Sequence, residues 1–338
     1  MSDLKPLIAA IAGGRPLTEK EAEQAFDILM SGDATPAQIG GFLMGLRVRG
    51  ETVPEITGAV RAMRAKMLRI EAPEGAVDTC GTGGDGAGTL SISTGAAIVT
   101  AAVGVPVAKH GNRAASSKTG TADTLAALGV NIDADMALVK EALWRANICF
   151  LMAPRHHAAM RHVGPSRVEL GTRTIFNLMG PLSNPAGARR QLVGVFGRQW
   201  IEPLAKVLGA LGTERAWVVH GSDGLDEITT TGETLAFEIR EGQIDRRTLE
   251  PGDFGVAVAK ATDLKGGDRE RNLEIARAVL CGGHGPQRDV VLANAAAALV
   301  AAGRASVFLE GAAIAAVSID TGAAKAKVEA LERFTQGF

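Results

Sequence analysis

The chain has no tyrosine in 338 residues, and aromatic residues together make up only 4% of it. No tyrosine hydroxyl can serve as acid or base, and Ala, Val, Leu and Ile must fill the core. Cysteine is nearly as scarce: Cys80, Cys149 and Cys281 are odd in number, widely spaced and without a CxxC. That excludes a disulfide framework and a cysteine zinc site, and it reads as reduced thiols in a cytoplasmic protein. Cys80 reads as a small buried residue rather than a nucleophile. Excess charge is missing as well. The net charge of −1 provides no global basic field for nucleic acid, so an anionic ligand must be met by a local cluster. Residues 86–108 carry no charge, but their glycines, hydroxyls and Pro106 break them into loop, helix and strand rather than a membrane span. The opening MSDLKPLIAAIAGG is too short in apolar residues, and too charged, for a secretory signal.

Glycine is abundant, at 42 residues, and it concentrates where the chemistry is most legible. Residues 78–94 read DTCGTGGDGAGTLSIST, with Gly81, Gly83, Gly84, Gly86 and Gly88 close together, Asp85 among them, and Thr89, Ser91, Ser93 and Thr94 following. Glycine lets backbone amides turn toward a ligand, and hydroxyls that open a helix (Gly95 to Val103) suit a phosphate at its N-terminus. The spacing matches neither the P-loop nor the dinucleotide GxGxxG. A ligand-free, glycine-rich turn is the plain alternative.

The first seventy residues read as helical. Thr18 with Glu21 makes one capping box and Thr52 with Glu55 another, with Thr35-Pro36 starting a helix between them, so three short helices are expected. After Pro73, strands and helices alternate. Strands are expected at Val105–Ala108, Ile148–Ala153, Gln191–Phe196 and Ala216–His220, and helices at Ala122–Leu128 and Asp135–Arg145. Asp289–Gly303 and Gly311–Leu331 read as packing helices, with 282–287, GGHGPQ, as a mobile loop. The fold class is α/β: a small helical bundle plus a larger domain with a mainly parallel sheet flanked by helices, its ligand loops beyond the carboxyl ends of the strands.

Three further stretches carry chemistry. Lys109 to Asp123, KHGNRAASSKTGTAD, sets cations and hydroxyls after a strand, as a phosphorylated ligand requires. In HGSDGLDEITTT the adjacent Asp226 and Glu227 suit Mg²⁺, which takes one or two carboxylates and keeps phosphate and water as other ligands. In His157 to Pro185, Arg167 and Arg173 can each bind a carboxylate bidentately, while His156, His157 and His162 fit no common zinc spacing and read as packing or substrate contacts.

In this order, GTGGD, IST, KHGNRAASSKTGTAD, VGPSRVELGTRTIFNLMGPLSNP and GLDEI resemble the anthranilate phosphoribosyltransferase family, over nearly the whole chain. The resemblance implies transfer of the phosphoribosyl group of 5-phosphoribosyl 1-pyrophosphate (PRPP) to the amino group of anthranilate in tryptophan biosynthesis, with pyrophosphate released. It implies a homodimer whose helical domain, 1–70, is rejoined by 155–189, the α/β domain being 71–154 and 190–338. By matching position it implies PRPP contacts from Gly81, Gly84, Asp85, Thr89, Ser91, Ile92, Ser93, Thr94, Lys109, His110, Gly111, Asn112, Arg113, Ala114, Ala115, Ser116, Ser117 and Thr121. Anthranilate contacts fall to Gly81, Asn112 and Arg167, with Arg167 facing the carboxylate, and Mg²⁺ to Ser93, Asp226 and Glu227. The chain departs from the family in Ser91 (usually Asn), Thr121 (usually Ser) and Ala158 (usually Pro).

The chemistry agrees with that reading. Breaking the C1–O bond leaves positive charge on the ribose, so the site must stabilise a departing anion, which Mg²⁺, Lys109 and loop amides can do electrostatically. An aromatic amine is already neutral and nucleophilic at pH 7, so no acid–base residue is assigned. The rivals are a pyrimidine nucleoside phosphorylase of the same fold and a non-catalytic, nucleic-acid-binding relative. Arg167 with GTRTIFN and the Asp226-Glu227 pair disfavour the first; the net charge of −1 and the intact pair disfavour the second.

Overall fold

A computed structural model of the chain describes residues 3–113 and 120–337. Four helices come first: α1 (Lys5–Ala12), α2 (Glu19–Ser31), α3 (Pro36–Arg49) and α4 (Val53–Lys66). Capping boxes start α2 and α4, as the sequence predicts, and α3 starts at the expected Thr35-Pro36 with a capping box of its own through Gln38. The first helix is additional to the expected three; its N-cap is the apolar Leu4, and Asp3 Oδ1 accepts the Lys5 amide (3.0 Å) in place of a side-chain cap at that position. The bundle is locked by Glu55, which is fully buried and accepts the amides of Leu17 (2.8 Å) and Thr52 (2.9 Å) and an ion pair from Arg49.

The alternating part follows as β1 (Val77–Asp78), α5 (Ile92–Ala102), β2 (Val107–Gly111), α6 (Thr121–Ala127), α7 (Met136–Ala146) and β3 (Ile148–Met152). Three short helices, α8 (Ala153–His156), α9 (Gly164–Leu170) and α10 (Phe176–Met179), lead to β4 (Arg190–Gly194), α11 (Ile201–Ala210) and β5 (Arg215–Gly221). The chain closes with β6 (Thr234–Arg240), β7 (Gln243–Leu249), α12 (Arg269–Leu280), α13 (Pro286–Ala302), α14 (Phe308–Asp320) and α15 (Ala323–Gln336).

One seven-stranded sheet runs β3-β2-β1-β4-β5-β6-β7. Its first five members are parallel, whereas β6 and β7 pair antiparallel, a hairpin the sequence reading missed. The turn Glu241-Gly242 has φ of +51° and +80°, and Glu at the first position hides the usual Asn-Gly signature. The edge strand β7 exposes Arg246 and Arg247, charges that discourage edge-to-edge pairing. The single segment expected at Gly311–Leu331 is two helices, broken where Gly322 turns left-handed (φ +77°). Pro286 of the expected mobile loop is already helical, at N1 of α13.

Helix α13 is the centre of the α/β core. Its alanines let the backbone approach α5, α14, β4 and β5 closely, and a tyrosine-free sequence fills the space with small aliphatics. Residues from the 155–189 segment, among them Val163, Ile175, Phe176 and Leu182, pack into the same apolar cluster as α1 to α4. Among the described residues, no helix is long and apolar enough to cross a membrane.

Candidate active site

The strand order brings the carboxyl ends of β1, β4 and β5 side by side, and three loops meet there. Residues 79–91 leave β1 and are stitched to their neighbours through the backbone. Thr82 N–H donates to Gly194 O (2.9 Å), Phe196 N–H to Thr82 Oγ1 (2.9 Å), and Gly266 N–H to Gly88 O (3.0 Å). Gly83, Gly84, Gly86 and Gly88 all have positive φ, between +63° and +78°, which turns successive amides in directions a side chain would resist. Gly194 is glycine for another reason: a Cβ there would lie 1.5 Å from Asp226 O.

Asp226 and Glu227 follow β5 and project into the loop. Asp226 Oδ2 accepts the Gly83 amide at 2.7 Å, and Glu227 Oε1 accepts the Ser93 amide at 3.1 Å. Burial, and then Asp85, hold the Asp226 carboxyl above the usual carboxylate range. Burial, and then Asp226, do the same to Glu227, with Lys109 opposing them. The next residue, Ile228, is pinned at both backbone atoms by fully buried Asn294, whose Oδ1 accepts its N–H (3.0 Å) and whose Nδ2 donates to its O (2.8 Å). Nothing in the sequence marks Asn294, which sits in an alanine-rich helix far along the chain.

Beside this cluster lies a second buried polar group. Asp78 accepts from the His110 amide (3.1 Å) and from Asn184 Nδ2 (2.7 Å), and burial raises its carboxyl to about 6 against the pull of Lys109. Lys109, also buried, donates to Thr79 O at 2.7 Å, so its charge lies beneath the glycine loop rather than in it. His110 Nδ1 faces Gly180 O at 3.2 Å, and its Nε2 lies 3.3 Å from His157 Nε2. Gly180 O can only accept, so that Nδ1 carries the proton. Burial lowers His110 to about 3 and His157 to about 4, which keeps both rings neutral. His156 instead bonds Leu68 O (2.7 Å), so His156 and His157 go to different partners. Cys80 is buried and its thiol is pushed up by desolvation, as befits a packing residue.

The remaining residues singled out by sequence are placed as follows. Gly81, Gly84, Asp85 and Thr89 lie in the first loop, where Asp85 Oδ1 accepts the Ala87 amide (3.1 Å) and Thr89 bridges Lys265. Ser91 precedes α5, and Ile92, Ser93 and Thr94 form its first turn, three residues earlier than the helix expected from Gly95. Ile92 and Thr94 are buried, so their side chains belong to the core. Gly111 ends β2, Asn112 Oδ1 accepts the Arg113 amide (2.8 Å), and Arg113 makes an exposed pair with Asp133 at 3.6 Å. Thr121 begins α6. Ala114, Ala115, Ser116 and Ser117 lie outside the described residues.

Arg167, on α9, is half-buried over the Phe176 ring (5.1 Å to the centroid), with no side-chain hydrogen bond or ion pair among the described residues. Desolvation lowers its pKa, as expected of a cation without a partner. No hydrogen bond joins it to the glycine loop. Arg173 does reach the loop: it stacks on Phe196 at 4.2 Å and donates to Gly84 O.

Two family models match the chain: the glycosyl transferase family helical bundle domain over residues 5–67, and the glycosyl transferase family a/b domain over residues 73–325. An anthranilate phosphoribosyltransferase of Rhodospirillum rubrum is 64% identical over 324 residues, covering 96% of this chain and 93% of that one. The crystal structure of the enzyme from Thermus thermophilus superposes with a TM-score of 0.92 at 42% identity, over 97% and 99% of the two chains. The Saccharomyces cerevisiae enzyme, solved in complex with PRPP and Mg, superposes at 0.91 with 26% identity, over 99% and 98%. With that likeness extending over both the helical bundle and the sheet, the chain belongs to the anthranilate phosphoribosyltransferase family.

Proposed function

We propose that the protein transfers the phosphoribosyl group of PRPP to the amine of anthranilate, releasing pyrophosphate. The observation that carries this reading is the meeting of an amide-rich glycine loop with Asp85, Asp226 and Glu227, the last two raised by burial and by their acidic neighbours. Such a cluster suits a hard divalent cation with free positions for diphosphate oxygens, and Ser93, Asp226 and Glu227 are the residues we assign to Mg²⁺. Bound there, Mg²⁺ supplies charge that stabilises the departing pyrophosphate.

The chain's own residues do the rest. The loop from Gly81 to Thr94 and the segment from Lys109 to Thr121 bind PRPP, with Ala114 to Ser117 assigned on resemblance alone. The buried ammonium of Lys109 sets a fixed positive potential beneath the diphosphate. Electrostatic stabilisation of a leaving anion is strongest when the charge is already in place and dry. Arg167 takes the anthranilate carboxylate: a planar guanidinium without a protein partner matches a bidentate anion, and its charge would otherwise remain half-desolvated. Gly81 and Asn112 complete the acceptor side. His110 and His157, both buried, stay neutral and add no charge of their own.

We assign residues 1–70 with 155–189 to one domain and 71–154 with 190–338 to the other, since closure between two bodies would exclude water. A homodimer and a cytoplasmic setting belong to the same reading. Three unpaired cysteines agree with a reducing compartment, and light scattering tests the dimer. The assignment itself is tested by anthranilate fluorescence with PRPP and Mg²⁺: the signal should fall, and no change with folded protein overturns it. Arg167→Ala should raise the anthranilate KM about a hundredfold and the PRPP KM far less, the loss of a bidentate charged contact being worth ~3 kcal/mol. Equal losses for both substrates would remove Arg167 from the acceptor site.

A further inference from the structure

We propose that Thr124 is a positioning residue for the donor, acting by holding the Ser91 hydroxyl away from the N-terminal amides of α5. The inference rests on the donor reading above.

Ser91 occupies the N-cap of α5, where a serine ordinarily accepts a hydrogen bond from the second or third amide of its helix. Here its side chain makes no such bond. Ser91 Oγ instead lies 2.6 Å from Thr124 Oγ1, across to α6. The backbone agrees with the diversion. Ser91 has φ −75° and ψ 74°, and Ile92 N–H donates to Leu90 O at 2.8 Å, an inverse γ-turn rather than the extended cap geometry. The Ser93 amide goes to Glu227, and the Ser91 hydroxyl competes for neither it nor the Thr94 amide.

With the Ile92 amide on Leu90 O and the Ser93 amide on Glu227, the Thr94 amide is the first-turn donor left for an anion, and a cap from Ser91 would consume it. The bond to Thr124 Oγ1 is the only side-chain hydrogen bond that Ser91 makes among the described residues, so the Thr124 hydroxyl is the restraint. It also ties the glycine loop to the helix that begins at Thr121, joining two donor-binding segments.

Thr124→Val keeps the shape of this buried residue and removes the hydroxyl. Ser91 is then free to cap α5, and the PRPP KM should rise about fivefold at nearly unchanged kcat. The rise in melting temperature caused by PRPP with Mg²⁺ should shrink in parallel. Thr124→Ser should restore both. In a Ser91→Ala background, whatever KM that change sets, adding Thr124→Val should shift it no further. An unchanged PRPP KM in Thr124→Val, or the same fold rise without Ser91, overturns the proposal. Thr124→Ala gives the same test should the valine variant fail to fold. Wild-type protein without turnover or PRPP-dependent stabilisation overturns the donor reading itself; wild-type turnover with an indifferent Thr124→Val overturns this inference alone.

Discussion

Two acidic groups, Asp78 and the Asp226-Glu227 pair, come together at the carboxyl ends of the strands, and they are built in opposite ways. Asp78 is satisfied. Each of its oxygens accepts a hydrogen bond, Lys109 lies near enough to favour its charge, and Asn184 bonds both it and Ala108 O (2.8 Å). Asp226 and Glu227 receive one amide each, and with Asp85 they repel one another. A protein that needed only to fold would gain nothing from setting Asp226 and Glu227 against each other and against Asp85. The first group holds strands together, and the second is the one we propose to take a cation. Lys109 lies between them and serves both.

The comparison is broken most severely by removing the second group. Asp226→Asn with Glu227→Gln should lower Mg²⁺-dependent turnover about a hundredfold or more, the range seen when preorganised electrostatic partners are lost. The metal-free protein should melt no lower than wild type, because the changes remove repulsion. A fall in both activity and metal-free melting temperature would make the pair structural, like Asp78.

The converse change is Asp78→Ala, which leaves the His110 amide and Asn184 Nδ2 without an acceptor and Lys109 without its counter-charge. Stability should drop by about 2–4 kcal/mol, measured by denaturant unfolding with and without Mg²⁺. The deficit should be the same in both conditions.

The smallest effect is the one pH draws out. Carboxyls raised in the folded state hold protons that the unfolded chain, with carboxylates near 4, has already released. Their contribution to metal-free stability therefore declines as pH rises above about 4 toward their folded values. Mg²⁺ needs the ionised form, so its stabilisation should grow between pH ~6 and pH ~8.5, read as the difference in melting temperature with and without the ion. His110 and His157 titrate the other way. With folded values near 3 and 4, they contribute stability above the unfolded value of about 6.5 and lose it as pH falls below. A Mg²⁺ effect independent of pH would mean that the carboxylates are already ionised without it.

Local rules made much of this architecture legible. Capping boxes at Thr18 and Thr52 marked helix starts because the signal lies within four residues. Apolar runs marked the parallel strands for the same reason. The antiparallel hairpin escaped because its turn begins with Glu241 and its outer strand carries charge. In the site, the glycine loop and the Asp226-Glu227 pair stood out as local clusters. Asn184 and Asn294 did not, being single residues that act more than 60 positions away.

The sequence by itself determined the amides, hydroxyls and carboxylates available, the absence of tyrosine, and the order of strands along the chain. Tertiary structure alone decided what each group does. It set Lys109 beneath the loop, satisfied Asp78 while leaving Asp226 and Glu227 opposed, left Arg167 without a hydrogen-bonding partner among the described residues, and turned the Ser91 hydroxyl to Thr124. The reason is physical: a charge or a hydroxyl has a local identity, but its pKa and its partners depend on burial and neighbours, which only the assembled sheet brings into place.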